Sequence, residues 1–208
     1  MTRTITMLFS LMLFAPLATV NASEIEAPHQ VLERTSEEVI AVLKQRSEEI
    51  KNKPDIVYEL VDDYILPHLD DVTMAKLALG KSWKKATTEQ KKQFVNEFRT
   101  LLIKTYSRSL QEFSDQQINF YPAQADGKKA VVRSEVLQSG GLKIPMSFRM
   151  RLKNDAWLVY DISIDGVSLV TSYRGTFTQE VRKGGIEGLL QMLADRNASM
   201  NTDATGES

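Results

Sequence analysis

The hydrophobic period of this chain changes near Asp115, and that change constrains the fold more than any other feature. Upstream, apolar residues recur every three or four positions; downstream they recur every second position. The first spacing lines one face of an α-helix and the second lines one face of a β-strand. The clearest stretch is 142–152. There Leu142, Ile144, Met146, Phe148, Met150 and Leu152 fall on one side, and Lys143, Pro145, Ser147, Arg149 and Arg151 on the other. Helices followed by strands joined through short turns predict an α+β fold with an antiparallel meander.

Upstream of the switch, Val31, Leu32, Thr35, Val39, Val42, Leu43, Arg46 and Ile50 make a helical stripe that stops at Asn52-Lys53-Pro54. A second helix covers 55–66 and ends at Leu66-Pro67. Asp70 or Asp71 can cap a short helix closed by Gly80. Thr87 and Gln90 form a capping box before the broad apolar face of Phe94, Phe98, Leu101, Leu102, Tyr106 and Leu110. Downstream, about four strands are expected: one at Ile118 and Phe120, then 130–137, 142–152 and 157–164. Asp126-Gly127, Ser139-Gly140-Gly141, Asn154-Asp155 and Asp165-Gly166 supply the turns. Two short helices, 173–181 and 186–196, flank Gly184-Gly185, and residues 198–208 read as a disordered polar tail. A twisted meander curls, so helices on its concave face give a cone with an apolar interior. That interior is either a cavity or a close-packed core.

Residues 1–22 read as a secretory leader: Arg3, an apolar run over 7–17, and small residues at Val20-Asn21-Ala22. Residues 23–197 are then a single domain. The chain has no cysteine, so an exported form relies on its core rather than on disulfides. A net charge of −1 gives no basic excess for nucleic acid.

No motif for catalysis or phosphate binding stands out. His29 and His68 are the only histidines, and with no cysteine they lack partners at zinc-site spacing. His68, just after Leu66-Pro67, reads as a surface or capping residue. Asp161 and Asp165 read as a solvated strand face and a turn residue. Arg149 and Arg151 read as solvated sheet residues that can also meet a lipid phosphate.

Several stretches resemble one family. They are Leu66-Pro67 with Asp70; Met74-Ala75-Lys76 with Leu79-Gly80 and Trp83; and Ala86-Thr87 with Gln90, Phe94, Phe98 and Thr105-Tyr106. Further on they are Val159-Tyr160-Asp161 with Ile164, Gly166-Val167-Ser168-Leu169-Val170, Tyr173-Arg174, Phe177 and Gly184-Gly185-Ile186-Glu187-Gly188-Leu189. Together they resemble the periplasmic phospholipid-binding proteins of the Mla lipid-asymmetry pathway, also called the toluene-tolerance family. The resemblance implies a core similar to nuclear-transport-factor and cystatin-like folds, with acyl chains inside and a headgroup at the mouth. It implies a non-enzymatic carrier, with phospholipid as cargo and no cofactor, working in the periplasm. It implies two partners: an outer-membrane lipoprotein–porin complex and an inner-membrane ABC transporter with a periplasmic lipid-binding ring. An enzyme or an envelope chaperone on the same cone-shaped fold is the alternative.

If a cavity exists, the residues expected to line it come from four places. The long helix supplies Leu102 and Tyr106; the second expected strand, Val132 and Val136; the third, Met146, Phe148 and Met150. The fourth strand and the residues just C-terminal to it supply Ile162, Ile164, Val167, Leu169 and Tyr173.

Overall fold

The computed structural model describes residues 25–53, 55–111, 116–138 and 140–205. The leader assigned to 1–22 lies outside them. The helical half opens with α1 (Pro28–Gln45), followed by α2 (Ser47–Asn52) and α3 (Ile56–Leu60). A π-helical turn, Val61–Ile65, and a 3-10 turn, Leu66–His68, extend α3 to the expected stop. The single expected N-terminal helix is therefore two, divided at Arg46, whose ψ of 16° leaves the helical range.

Asp70 caps α4 (Asp71–Leu79), accepting from the Thr73 amide at 3.2 Å and the Thr73 hydroxyl at 2.8 Å. Its carboxylate is buried, with Arg151 at 3.4 Å and Lys153 at 3.8 Å. The box at α5 (Thr88–Gln111) forms as read: the Thr87 amide donates to Gln90 Oε1 and the Gln90 amide to Thr87 Oγ1.

The sheet has six strands rather than four. They are β1 (Gln117–Phe120), β2 (Gln124–Asp126), β3 (Lys129–Leu137), β4 (Lys143–Lys153), β5 (Ala156–Ile164) and β6 (Val167–Ser168). All pair antiparallel, in the order β1-β3-β4-β5-β6, with β2 alongside β3 and the two ends unjoined. The two additional strands, β2 and β6, are three and two residues long, too short to show a period. The Asn154-Asp155 and Asp165-Gly166 pairs all have positive φ, the conformation of tight hairpin turns.

α6 spans Leu169–Thr205 and is interrupted at Gly185, with φ 68° and ψ −168°. The two helices expected around Gly184-Gly185 are thus one helical run with a break. It continues through the stretch from Ala198 that reads as a tail, and Met200 packs against the core.

Buried side chains gather in three clusters. One joins α4, α5 and α6 around Phe94, Phe98 and Phe177, whose rings pack at 5.4–5.8 Å. A second sets Val31 and Leu32 of α1 on the sheet against Ala130, Val132, Met150, Trp157 and Val159. The third joins Leu43 of α1 to Ile50, Ile56, Val57, Leu60 and Val61. α1 therefore leaves the sheet halfway along its length to join a helical cluster.

Candidate functional site

The space where α1 parts from the sheet is not filled. A cavity of about 240 Å³ lies there. The buried face of α1 forms one wall, with Leu32, Thr35, Ser36, Val39, Ile40 and Leu43. Ile118, Phe148, Val159 and Ile162 of the sheet form the opposite wall. Ile65, His68 and Leu69 close one side and Leu110 of α5 another. A smaller hollow adjoins it, lined by Val42, Val57, Leu60, Val61 and Tyr64. Val39, Leu43, Ile65 and Leu110 line both spaces.

Register explains which strand residues face the cavity. Val132 pairs with Phe148, and Phe148 with Ile162, so all three share the inner face. The β4–β5 register shifts between Arg149 and Met150, where Arg149 pairs with Asp161 but Met150 pairs with Val159. Such a bulge exchanges the faces of the strand. On β5 the inward residues are Trp157 and Val159 before the bulge, and Ile162 and Ile164 after it. Strict alternation hides Val159 as a lining residue.

The residues named from sequence divide by place. Phe148 and Ile162 line the cavity. Val132 and Met150 are fully buried core between α1 and the sheet. Leu102 lines a separate small crevice between α4 and α5 with Leu66, Leu69 and Phe98. Tyr173 is stacked in the aromatic cluster, 5.5 Å from Phe177 and edge-on to Phe98 at 5.4 Å. Tyr106 is half-buried on α5, and burial raises its phenol pKa. Val136, Met146 and Ile164 are half-buried on the same sheet face as Val132, Phe148 and Ile162. Leu169 is half-buried at the start of α6, and Val167 is exposed. The α1 wall was legible as an amphipathic stripe, but a stripe does not tell which part of it meets a void.

Two polar residues depart from their sequence reading. Asp161 is buried rather than solvated. Both its oxygens accept from the Ser168 hydroxyl, at 2.8 and 2.9 Å, and one faces the Val170 amide at 3.4 Å. It anchors the start of α6, and Arg149 lies 3.8 Å away. His68 is no simple surface residue: it lines the cavity, and burial lowers its pKa.

Chemically, the walls offer apolar contact and three polar side chains, Thr35, Ser36 and His68. Among the described residues no group of three or more carboxylate or imidazole side chains is placed to hold a metal. None of their helices is long and apolar enough to cross a membrane. Such a space suits a flexible apolar ligand with few polar atoms.

Comparison with known proteins agrees with that chemistry. A phospholipid-binding protein from Ralstonia solanacearum, solved in complex with a phospholipid, superposes with a TM-score of 0.79 at 31% identity. The match covers 85% of this chain and 99% of that one. The toluene tolerance protein ttg2D of Pseudomonas putida is 28% identical over 172 residues, 82% of this chain and 79% of its own. The intermembrane phospholipid transport system binding protein MlaC of Haemophilus influenzae is 23% identical over 191 residues, 89% of each chain. The family model for the MlaC protein matches residues 33–195, and on that extent of match the chain belongs to the MlaC family.

Proposed function

We propose that this chain is a soluble periplasmic phospholipid carrier, whose leader at residues 1–22 directs its export. It exchanges lipid with an outer-membrane lipoprotein–porin complex on one side and an inner-membrane ABC transporter bearing a lipid-binding ring on the other. The observation that carries the reading is the cavity between α1 and the sheet, walled by eleven apolar residues from four parts of the fold. Acyl chains are the cargo such a wall favours. Each methylene withdrawn from water is worth about 0.8 kcal/mol, so two ordinary chains of on the order of 30 methylenes face a cost above roughly 20 kcal/mol in an aqueous gap. A catalytic pocket instead gathers ionisable groups with perturbed pKa values, and His68 is the one ionisable side chain among the described lining residues.

The test is solvent extraction of purified, folded protein followed by mass spectrometry. Diacyl phospholipid at near one per protein is the expected result. Repeated recovery of well-folded protein without diacyl lipid, which also fails to take lipid from vesicles, overturns the carrier reading.

A further inference from the structure

Five lysines and one acid, Glu89, fall within residues 81–92 of a chain whose net charge is −1. The 3-10 turn Gly80–Lys84 carries Lys81 and Lys84 three residues apart, which places them on one side of the turn. Lys85 follows it, and Lys91 and Lys92 lie near the start of α5. Lys91 Nζ sits over the Trp83 ring, 5.8 Å from its centroid, and so ties the start of α5 to the turn. Arg174 of α6 adds a sixth cation. Its Nε donates to the Leu77 carbonyl at 2.8 Å, and its Cδ lies 3.6 Å from where a Cβ on Gly80 would stand. Lys91 is half-buried and the other five cations are exposed.

Among the described residues no ion pair holds any of the six. Glu187 of α6, which accepts from Gln90 Nε2 at 2.7 Å, brings one further acid to the margin. Clustered like charges repel one another, and cations beside a helix N-terminus oppose its dipole. The gathering therefore costs stability in the free protein, and an anionic surface offsets that cost. Five of the six are lysines, mobile point charges on flexible stems. Carboxylates in fixed register are better matched by the rigid fork of arginine. Mobile ammonium groups suit the fluid, spread charge of a phospholipid headgroup layer. Trp83 is half-buried among them and packs against the core cluster, and an indole with one apolar and one wet side fits that layer.

We propose that Lys81, Lys84, Lys85, Lys91, Lys92 and Arg174 form a docking surface for an anionic phospholipid bilayer. The surface holds the protein at the headgroups by electrostatic attraction. None of the six lines the cavity or the hollow beside it, so docking and cargo binding are separable.

The test sediments purified protein with vesicles of dioleoyl phosphatidylcholine, alone or mixed equally with dioleoyl phosphatidylglycerol. A net-negative protein has no overall attraction to the anionic vesicles, so its retention there reports a local patch. Each cation at such a surface is worth roughly fivefold in partitioning, so the wild type should favour the anionic vesicles by at least roughly tenfold at low salt. That preference should collapse at about 0.3 M salt. Joint substitution Lys84→Gln, Lys85→Gln and Lys92→Gln should lower anionic-vesicle binding at least roughly tenfold. Lys44→Gln, Lys53→Gln and Lys128→Gln together remove the same charge from exposed sites elsewhere and should leave binding near that of the wild type. Equal binding of the wild type to both vesicles overturns the proposal and leaves an acidic protein face as the occupant. An equal fall in the two triple variants also overturns it. Lipid content, read by mass spectrometry, should match the wild type in both variants. Protein that docks as expected yet never carries lipid counts against the carrier reading instead.

Discussion

Burial at the cavity wall holds the His68 imidazole below its ordinary pKa, and the positive charge of Arg34 pushes the same way, while Glu38 and Glu26 oppose both. In the unfolded chain the imidazole titrates near its usual value of about 6.5. Between that value and the lower folded one, the unfolded chain binds a proton that the folded protein does not. The stability associated with neutral His68 is therefore complete above about pH 6.5 and is lost as pH falls through the folded pKa. His68→Gln keeps a polar side chain and removes the titration. Chemical unfolding at pH 7.5 and pH 5 should show a smaller acid-induced loss of stability in the variant than in the wild type. An identical loss in both would mean that His68 titrates alike in the folded and unfolded states. The sequence placed His68 at a helix end, which is correct, but a helix end does not reveal the hollow beneath it. Asp161 is a similar case. Its place on β5 was legible, but its burial depends on Ser168 and the first turn of α6 folding back over it.

At the scale of elements, the legible parts are those whose signal is local. The capping box at Thr87 and Gln90, the hairpin pairs Asn154-Asp155 and Asp165-Gly166, and the alternation of β4 each act within a few residues. The β5 bulge is different: it shifts the phase of β5, so the inward residues pass from Val159 to Ile162, but the unbroken apolar run Trp157-Leu158-Val159-Tyr160 masks that shift in the sequence. It moves Val159 onto the cavity wall, while Ile162 and Phe148 follow plain alternation. The break in α6 was legible because glycine pairs interrupt helices. Gly185 has φ 68° and ψ −168°, a conformation that side chains with a Cβ rarely adopt. A Cβ there would meet nothing within 4 Å, so steric room is not the constraint. Gly185→Ala should cost about 1–3 kcal/mol through backbone strain alone, read as a lower urea midpoint with an unchanged slope. A variant as stable as the wild type would show that the break relaxes without penalty. The same substitution at Gly184, which lacks a positive φ, is the control and should be near neutral.

Over the whole molecule, the cavity exists because α1 is shared between two clusters that cannot both pack it fully. Its first turns are held to the sheet through Val31 and Leu32, and its last turn to the helical cluster through Leu43. Between them Thr35, Val39 and Ile40 face open space. A pair of substitutions separates that void from the solid core beside it. Val39 lines both the cavity and the adjoining hollow, so Val39→Trp places its bulk where acyl chains would lie. It should sharply reduce bound phospholipid while leaving the unfolding midpoint of lipid-free protein near that of the wild type. Met150 is fully buried in contact with the core between α1 and the sheet. Met150→Trp overpacks that core and should cost about 1–3 kcal/mol, with lipid content per folded molecule retained. Lipid stabilises whatever state binds it, so the two midpoints must be compared after delipidation, or the loss of cargo in Val39→Trp would register as a loss of fold. If Val39→Trp destabilises the lipid-free protein as much as Met150→Trp does and still carries lipid, the space beside α1 is not where the chains lie.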